Sequence, residues 1–410
     1  MIFFFFCLGA LFITPKIFIM INMFMISYNF VIVISMMSLF IMFLISKFLF
    51  TSQYYYFKKI YVMMFLFMMT FMNLCFFSES IYYFLIFFEM SLFPMILFLM
   101  NYSSDMDKIC SSFFMLILNL MGSLPYIMSS SFLFNYLGSI FFSVYLLKSF
   151  CFNSFLLHMS FIMIFLFKLP FLFFHFWLPK AHVSASGSAS IVLASLMLKL
   201  GSMGLIKLCM LFMKIYIYLN LFYSTIMSLM FFFLMFYMIR FFDLKYMVAM
   251  SSISHMSSIP LMMMSFNHYC YVSMLFMIIA HGIISSMLFY IVMMFYEQSF
   301  SRSMNFFKSF NKISKYLFYL FCIWLIINFS FPPFMSFVSE FFMMMYFYFN
   351  SFFFFFFFFF FIFCNLIFMF FILKGSTNKS FFFIFFDNSV MFFLINFFFF
   401  FFLFYSTFMI

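Results

Sequence analysis

Charge is scarce in this sequence. Of 410 residues only 19 are Lys or Arg and 8 are Asp or Glu, 7% in all, while 70% are hydrophobic. An ordinary globular domain is about 25% charged. A soluble fold must wet its surface, and surface grows with size, so a chain this poor in charge cannot hide its apolar area in a core of its own. Lipid can cover it. Cysteine is thinly spread too: eight residues with no C-x-x-C pair argue against a disulfide framework, a zinc site or an iron–sulfur cluster. No Gly-rich nucleotide loop occurs, so no NADH or flavin site is expected. The N-terminus lacks an Arg-rich amphipathic leader and a basic stretch ahead of its apolar run, and is expected to be a first membrane helix.

What is abundant is Phe, at 94 residues, and Met, at 48. Such excess fits the codon bias of an organelle genome. The run Phe352 to Phe361 is low-complexity, lipid-facing filler. The net charge of +11 comes from basic residues lying mostly between apolar runs, which points to membrane orientation rather than nucleic-acid binding.

A spanning helix needs about 20 apolar residues. The hydropathy pattern predicts an all-α polytopic membrane protein with thirteen spans, near 2–24, 28–50, 60–78, 81–101, 110–130, 152–178, 187–212, 217–238, 246–266, 270–296, 316–346, 351–373 and 389–407. They are too long for barrel strands and lack polar alternation. Alternate loops carry Lys47, Lys58, Lys59, Lys108, Lys180, Arg240, Lys245, Arg302, Lys308, Lys312, Lys315, Lys374 and Lys379, against Lys148 and Lys214 on the other side. The positive-inside rule puts the rich side, and the N-terminus with it, in the cytoplasm or matrix.

The informative residues are ionisable ones within apolar runs: Glu89, Lys168, Lys199, Lys207, Glu340, and the histidines His255 and His281. A central acid or base costs about 2.5–3.5 kcal/mol on insertion scales, so several of them call for a function. The plainer alternative is snorkelling at a helix end or a structural ion pair. It is preferred for Lys207, eight residues from Lys199 toward the basic loop. A lysine facing a carboxylate can hold or lose a proton as that partner moves, and a row of such groups joined by histidine and water is a relay. The serine-rich runs Ser184–Ser190 and Ser251–Ser258 suit either close helix packing or a hydrated path.

Two long runs also carry proline breaks. Pro170 follows Lys168, and Pro332-Pro333 precede Glu340 by seven residues. Proline removes a backbone donor, so a carbonyl three or four residues before Pro170 is freed beside Lys168 and must be satisfied by protein or by water in a cavity. Interrupted helices in corresponding halves are a sequence pointer to a transporter site.

These segments resemble one family. Lys168-Leu169-Pro170, then His175-Phe176-Trp177-Leu178-Pro179-Lys180-Ala181-His182-Val183, and Leu196-Met197-Leu198-Lys199-Leu200-Gly201 look like the chain 4 family of mitochondrial NADH-ubiquinone oxidoreductase. Asp243-Leu244-Lys245, Ser251 to Met256, Ile279-Ala280-His281-Gly282 and Tyr296 to Arg302 follow in that family's order, and Phe88 to Pro94 and Pro332-Pro333 with Glu340 resemble its early and late helices. The resemblance covers roughly residues 80–345. It implies about fourteen helices, here one fewer at the N-terminus, and two inverted five-helix repeats, each with a broken helix. The implied organisation is N-terminal helices over 1–78, a first half-channel over 79–212, a second over 213–349 and C-terminal helices over 350–410.

The same resemblance implies roles. Glu89 modulates Lys168; Lys199, His255 and His281 continue a hydrated central axis; Glu340 is the terminal protonatable group. It implies a subunit of a proton-translocating NADH:ubiquinone reductase in the mitochondrial inner membrane. Its partners would be other membrane-arm subunits, including sister chains 2 and 5, together with lipids, and NADH, FMN, iron–sulfur clusters and ubiquinone would be held elsewhere in the complex. This chain departs from the family at Ser184 and Ser186, where an acid and a proline are usual, and at Ser339, where glycine is. Two alternatives stay open on the residues alone: a stand-alone cation/proton antiporter subunit, and a membrane scaffold whose proton site is dead.

Overall fold

The computed structural model describes residues 38, 58–102, 108–138, 155–170, 177–209, 243–264, 268–299, 301–303, 315–332, 334–350 and 362. The expected spans near 2–24, 28–50, 217–238, 351–373 and 389–407 lie outside these residues, apart from the single positions 38 and 362.

The described chain is helical, with no strand beyond a single-residue pairing of Asp243 with Ser303. In chain order, α1 is Lys58–Phe77, α2 Ile81–Tyr102, α3 Lys108–Leu137, α4 Phe155–Lys168, α5 Trp177–Ser184 and α6 Gly187–Val192. A π turn, Leu193–Met197, leads into α7, Leu198–Cys209; then come α8 Leu244–Met264, α9 His268–Ser299, α10 Lys315–Asn328 and α11 Met335–Asn350. Among the described residues four helical stretches are long and apolar enough to cross a membrane: Ile81–Met100, Lys108–Asn135, Gly187–Leu208 and Cys270–Ser299. The chain is therefore a polytopic membrane protein, since only helices or closed barrels satisfy every backbone group in lipid.

Burial sorts these helices. Every residue from 188 to 206 and from 273 to 293 is buried within the chain, against about half of Ile81–Met100 and a third of Lys108–Asn135. The α6–α7 stretch and α9 are thus interior, and α2 and α3 form a rim. Helix α9 is the hub, packing on α6, the π turn, α8, α10 and α11. Close approach uses missing side chains. A Cβ on Gly204 would meet the Phe165 ring at 2.0 Å, and one on Gly201 the Lys168 Cβ at 3.0 Å, so α7 lies directly on α4.

Serines do not interrupt this packing, because their hydroxyls bond their own helix. Ser129, Ser130 and Ser131 each donate to the carbonyl three residues back, and α3 runs on through them to Leu137, beyond the 110–130 expected. The run around His255 does the same: Ser251, Ser252, Ser254, Ser257 and Ser258 all donate to the carbonyl three residues back and are buried. Of the two readings of these hydroxyls, this geometry favours packing.

Candidate proton-relay site

The first break follows Lys168. That residue ends α4, and Leu169 still donates to the Phe165 carbonyl at 2.8 Å before the helix stops at Pro170. The carbonyl of Phe167, three residues before the proline, accepts the indole N–H of Trp177 at 3.1 Å. The group freed by proline is thus taken up by the first residue of the next helix. Lys168 is 2% exposed, and its Nζ finds no hydrogen-bond partner among the described residues. It lies 4.6 Å from the centroid of the Phe88 ring, a cation–π contact, and within electrostatic reach of Cys75 and Glu89.

Glu89 itself is on the outer face of α2. It is exposed, as are Ile86, Met90 and Phe93 beside it, while Phe88 points inward at Lys168. Among the described residues no ion pair joins Glu89 to Lys168. The two are neighbours through Phe88 rather than direct partners.

The second group of residues is in contact. Lys199 is 2% exposed and follows the π turn, whose wider winding presents a carbonyl to it: Nζ donates to Ala194 O at 2.7 Å, five residues back. The same Nζ reaches His281 Nδ1 on α9 at 2.9 Å, with Nδ1 the acceptor in the matching tautomer. The His281 and His255 rings lie 6.3 Å apart between centroids. His255 Nδ1 on α8 is 3.3 Å from Glu340 Oε1 on α11, an ion-pair distance for an imidazolium. All four side chains are buried. Lys168 touches the same helix as Lys199 two positions on, at Gly201.

The second break is built like the first. Helix α10 ends at Asn328, Ser330 turns with φ of 56°, and α11 starts at Met335. The carbonyl of Ile327 accepts the Ser336 hydroxyl at 2.9 Å, so again a residue of the second half-helix secures a carbonyl of the first. Glu340 follows one turn later.

Lys207, expected to snorkel at a helix end or to sit in an ion pair, has backbone carbonyls as partners. Its Nζ donates to the carbonyls of Cys75, Phe76 and Ser78 at 3.4, 3.0 and 2.8 Å, closing the C-terminal end of α1. His175 lies outside the described residues. His182, unassigned in the sequence, is fully buried and stacked on Phe289 of α9 at 4.8 Å between ring centroids, within electrostatic reach of Lys199 and Lys245. Lys245 and Arg302, read as loop charges, bond the backbone near His182. Nothing in the hydropathy pattern flagged these; the short polar run from His182 to Ser190 was the available signal.

Residues 78–365 match the family model described as NADH:quinone oxidoreductase/Mrp antiporter, TM. The chain belongs to this family. Within the NADH:quinone oxidoreductase/Mrp antiporter family, chain 4 of NADH-ubiquinone oxidoreductase from Caenorhabditis elegans is 32% identical over 262 residues, 62% of this chain and 60% of that protein. The protein of the same name from Ascaris suum is 33% identical over 262 residues, again 62% and 60%. The match therefore spans less than two thirds of these relatives' length. A chain in the structure of respiratory complex I from Thermus thermophilus with bound NADH superposes with a TM-score of 0.77 at 16% identity, covering 91% of this chain and 78% of that one. A chain of the Mrp complex from Dietzia sp. gives 0.70 at 14% identity, covering 77% and 60%. At such identities the likeness is one of fold.

Proposed function

We propose that this chain is a proton-translocating membrane subunit of NADH:ubiquinone oxidoreductase, respiratory complex I, in the mitochondrial inner membrane. The observation that carries this is the buried succession Lys199, His281, His255 and Glu340, contributed by four helices, α7, α9, α8 and α11. An ammonium that donates to an imidazole nitrogen can pass its proton there. The protonated ring can pass one on to His255, whose ring centroid is 6.3 Å away, and the imidazolium so formed stands beside a carboxylate that stabilises it. Intramembrane ionisable groups of this kind are costly unless they serve a path.

Quinone reduction belongs to other subunits, and this chain needs no redox centre. Its free energy reaches the chain through neighbouring membrane-arm subunits, the sister chains 2 and 5 among them, and shifts the field of Glu89 on Lys168. The proton then leaves by way of Lys199 and the histidines to Glu340. The full architecture in this reading is thirteen spans, with two inverted five-helix repeats, each holding one of the two broken helices.

Lys168→Ala and Glu89→Ala, each in the assembled complex, are expected to lower proton pumping and quinone-coupled turnover while NADH oxidation by an artificial acceptor stays intact. Normal pumping by an assembled Glu89→Ala complex would contradict the role given to Glu89. The likeness to the Mrp complex keeps a stand-alone cation/proton antiporter as the second reading. Native electrophoresis separates the two, because only the first has the chain co-migrate with NADH dehydrogenase activity.

A further inference from the structure

Two cations converge on one backbone break that the relay above does not use. Helix α5 ends at Ser184, Ala185 and Ser186 are non-helical, and α6 starts at Gly187. The last four carbonyls of a helix have no intrahelical donor, and in lipid each such group is costly. Here Lys245, the second residue of α8 and 8% exposed, donates through Nζ to Val183 O at 3.2 Å and to Ala185 O at 2.5 Å. Arg302, just beyond α9, donates through Nη1 to Val183 O at 3.3 Å. The two cations are themselves tied, since Leu244 N–H donates to Arg302 O at 3.0 Å and Asp243 pairs with Ser303. On the other flank, the Ser184 and Ser111 hydroxyls meet at 2.7 Å, and Ser188 meets the Tyr61 hydroxyl.

The break matters for what it carries. His182 is one residue before Val183 and stacks on Phe289 of α9. Lys199 stands on the helix that the break begins, and α6 and the π turn lie along α9, which holds its partner His281. Any slip of Val183 to Ser186 therefore moves His182 and slides Lys199 along α9. A contact of 2.9 Å between Nζ and Nδ1 tolerates little of that.

We propose that Lys245 is a positioning residue of the proton route: with Arg302 it clamps the Val183 and Ala185 carbonyls and so fixes His182 and Lys199 against α9. This rests on the proton-translocating reading. Helices α8 and α9, which carry His255 and His281, are the ones whose ends supply the clamp, so the break, both histidines and Lys199 are set in one register. A lysine suits the task because one ammonium reaches two carbonyls at once. Arginine can do the same; a methionine of similar length cannot.

The test uses the intact complex with Lys245→Met, Lys245→Arg and, as a reference, Lys199→Ala. Proton yield per NADH and quinone-coupled turnover are measured beside artificial-acceptor oxidation. Lys245→Met is expected to lose up to roughly 10²-fold in pumping, the cost of displacing a reacting group by about 1 Å, with artificial-acceptor oxidation unchanged. Lys245→Arg is expected to restore pumping to within about twofold, because it regains the charge-assisted bonds. Wild-type pumping by Lys245→Met while Lys199→Ala fails overturns the clamp and leaves the relay standing; wild-type pumping by Lys199→Ala overturns the relay itself. If Lys245→Met does not assemble, Arg302→Met, which removes one of the three bonds, decides. Reduced pumping in an assembled Arg302→Met complex supports the clamp, and wild-type pumping overturns it.

Discussion

The buried ionisable residues gain their meaning from what each one touches. Glu340 faces His255 at 3.3 Å, and on the proposed route it is the last acceptor. Glu340→Gln keeps the volume and one carbonyl oxygen but cannot ionise, so it can neither take the proton nor stabilise a charged His255. Pumping is expected to fall by roughly 10²-fold or more, the lower range of what a positioned acid–base group contributes. The measurement is proton uptake into vesicles holding the complex, and an assembled Glu340→Gln complex that pumps at the normal rate would remove Glu340 from the route. Lys168, Lys199, His255, His281 and Glu340 could all be picked from the sequence, because an ionisable residue stands out against an apolar run. The direction each one faces could not. Helix α2 is apolar on every side, so no periodicity told that Phe88 faces Lys168 while Glu89 faces outward. Lys245 was hidden for the opposite reason: a lysine at a span end on the basic side looks like an orientation signal, and only tertiary contact reveals its carbonyl partners.

At the level of elements, both breaks fall where the sequence has Pro170 and Pro332-Pro333, but proline alone did not mark them, since Pro94, Pro125 and Pro260 lie inside continuous helices. What closes each break was not legible either, because the partners are chosen by folding. Trp177 donates to Phe167 O and Ser336 to Ile327 O, each a staple from the second half-helix back to the first. The π turn before Lys199 escaped notice as well, having no residue signature of its own. Trp177→Phe keeps the ring packing and leaves a buried carbonyl without its donor, an expected loss of about 1–3 kcal/mol. Ser336→Ala is milder, about 1 kcal/mol, because Ser330 N–H still reaches Ile327 O at 3.2 Å. Thermal inactivation of the complex checks both, and equal loss from the two variants would mean that the staples do not act as drawn.

At the scale of the whole molecule, the interior and the rim follow different rules. The α6–α7 stretch from 188 to 206 and α9 from 273 to 293 are buried throughout, whereas α2 and α3 turn a large apolar face outward. Such a face suits lipid until Glu89 is considered, since a carboxylate presented to hydrocarbon costs about 2.5–3.5 kcal/mol and so seeks a protein neighbour. In the assembled complex, then, the face around Ile86, Glu89, Met90 and Phe93 is expected to lie against another membrane subunit. That is also where a neighbour's rearrangement could change the field that Lys168 feels. Phe93→Cys places a thiol on this face without touching Glu89. A lipid-soluble maleimide should label it in the separated chain and leave it largely unlabelled in the intact complex. Equal labelling in both states would put lipid against Glu89 and cut the proposed link between quinone reduction and Lys168 at its first step.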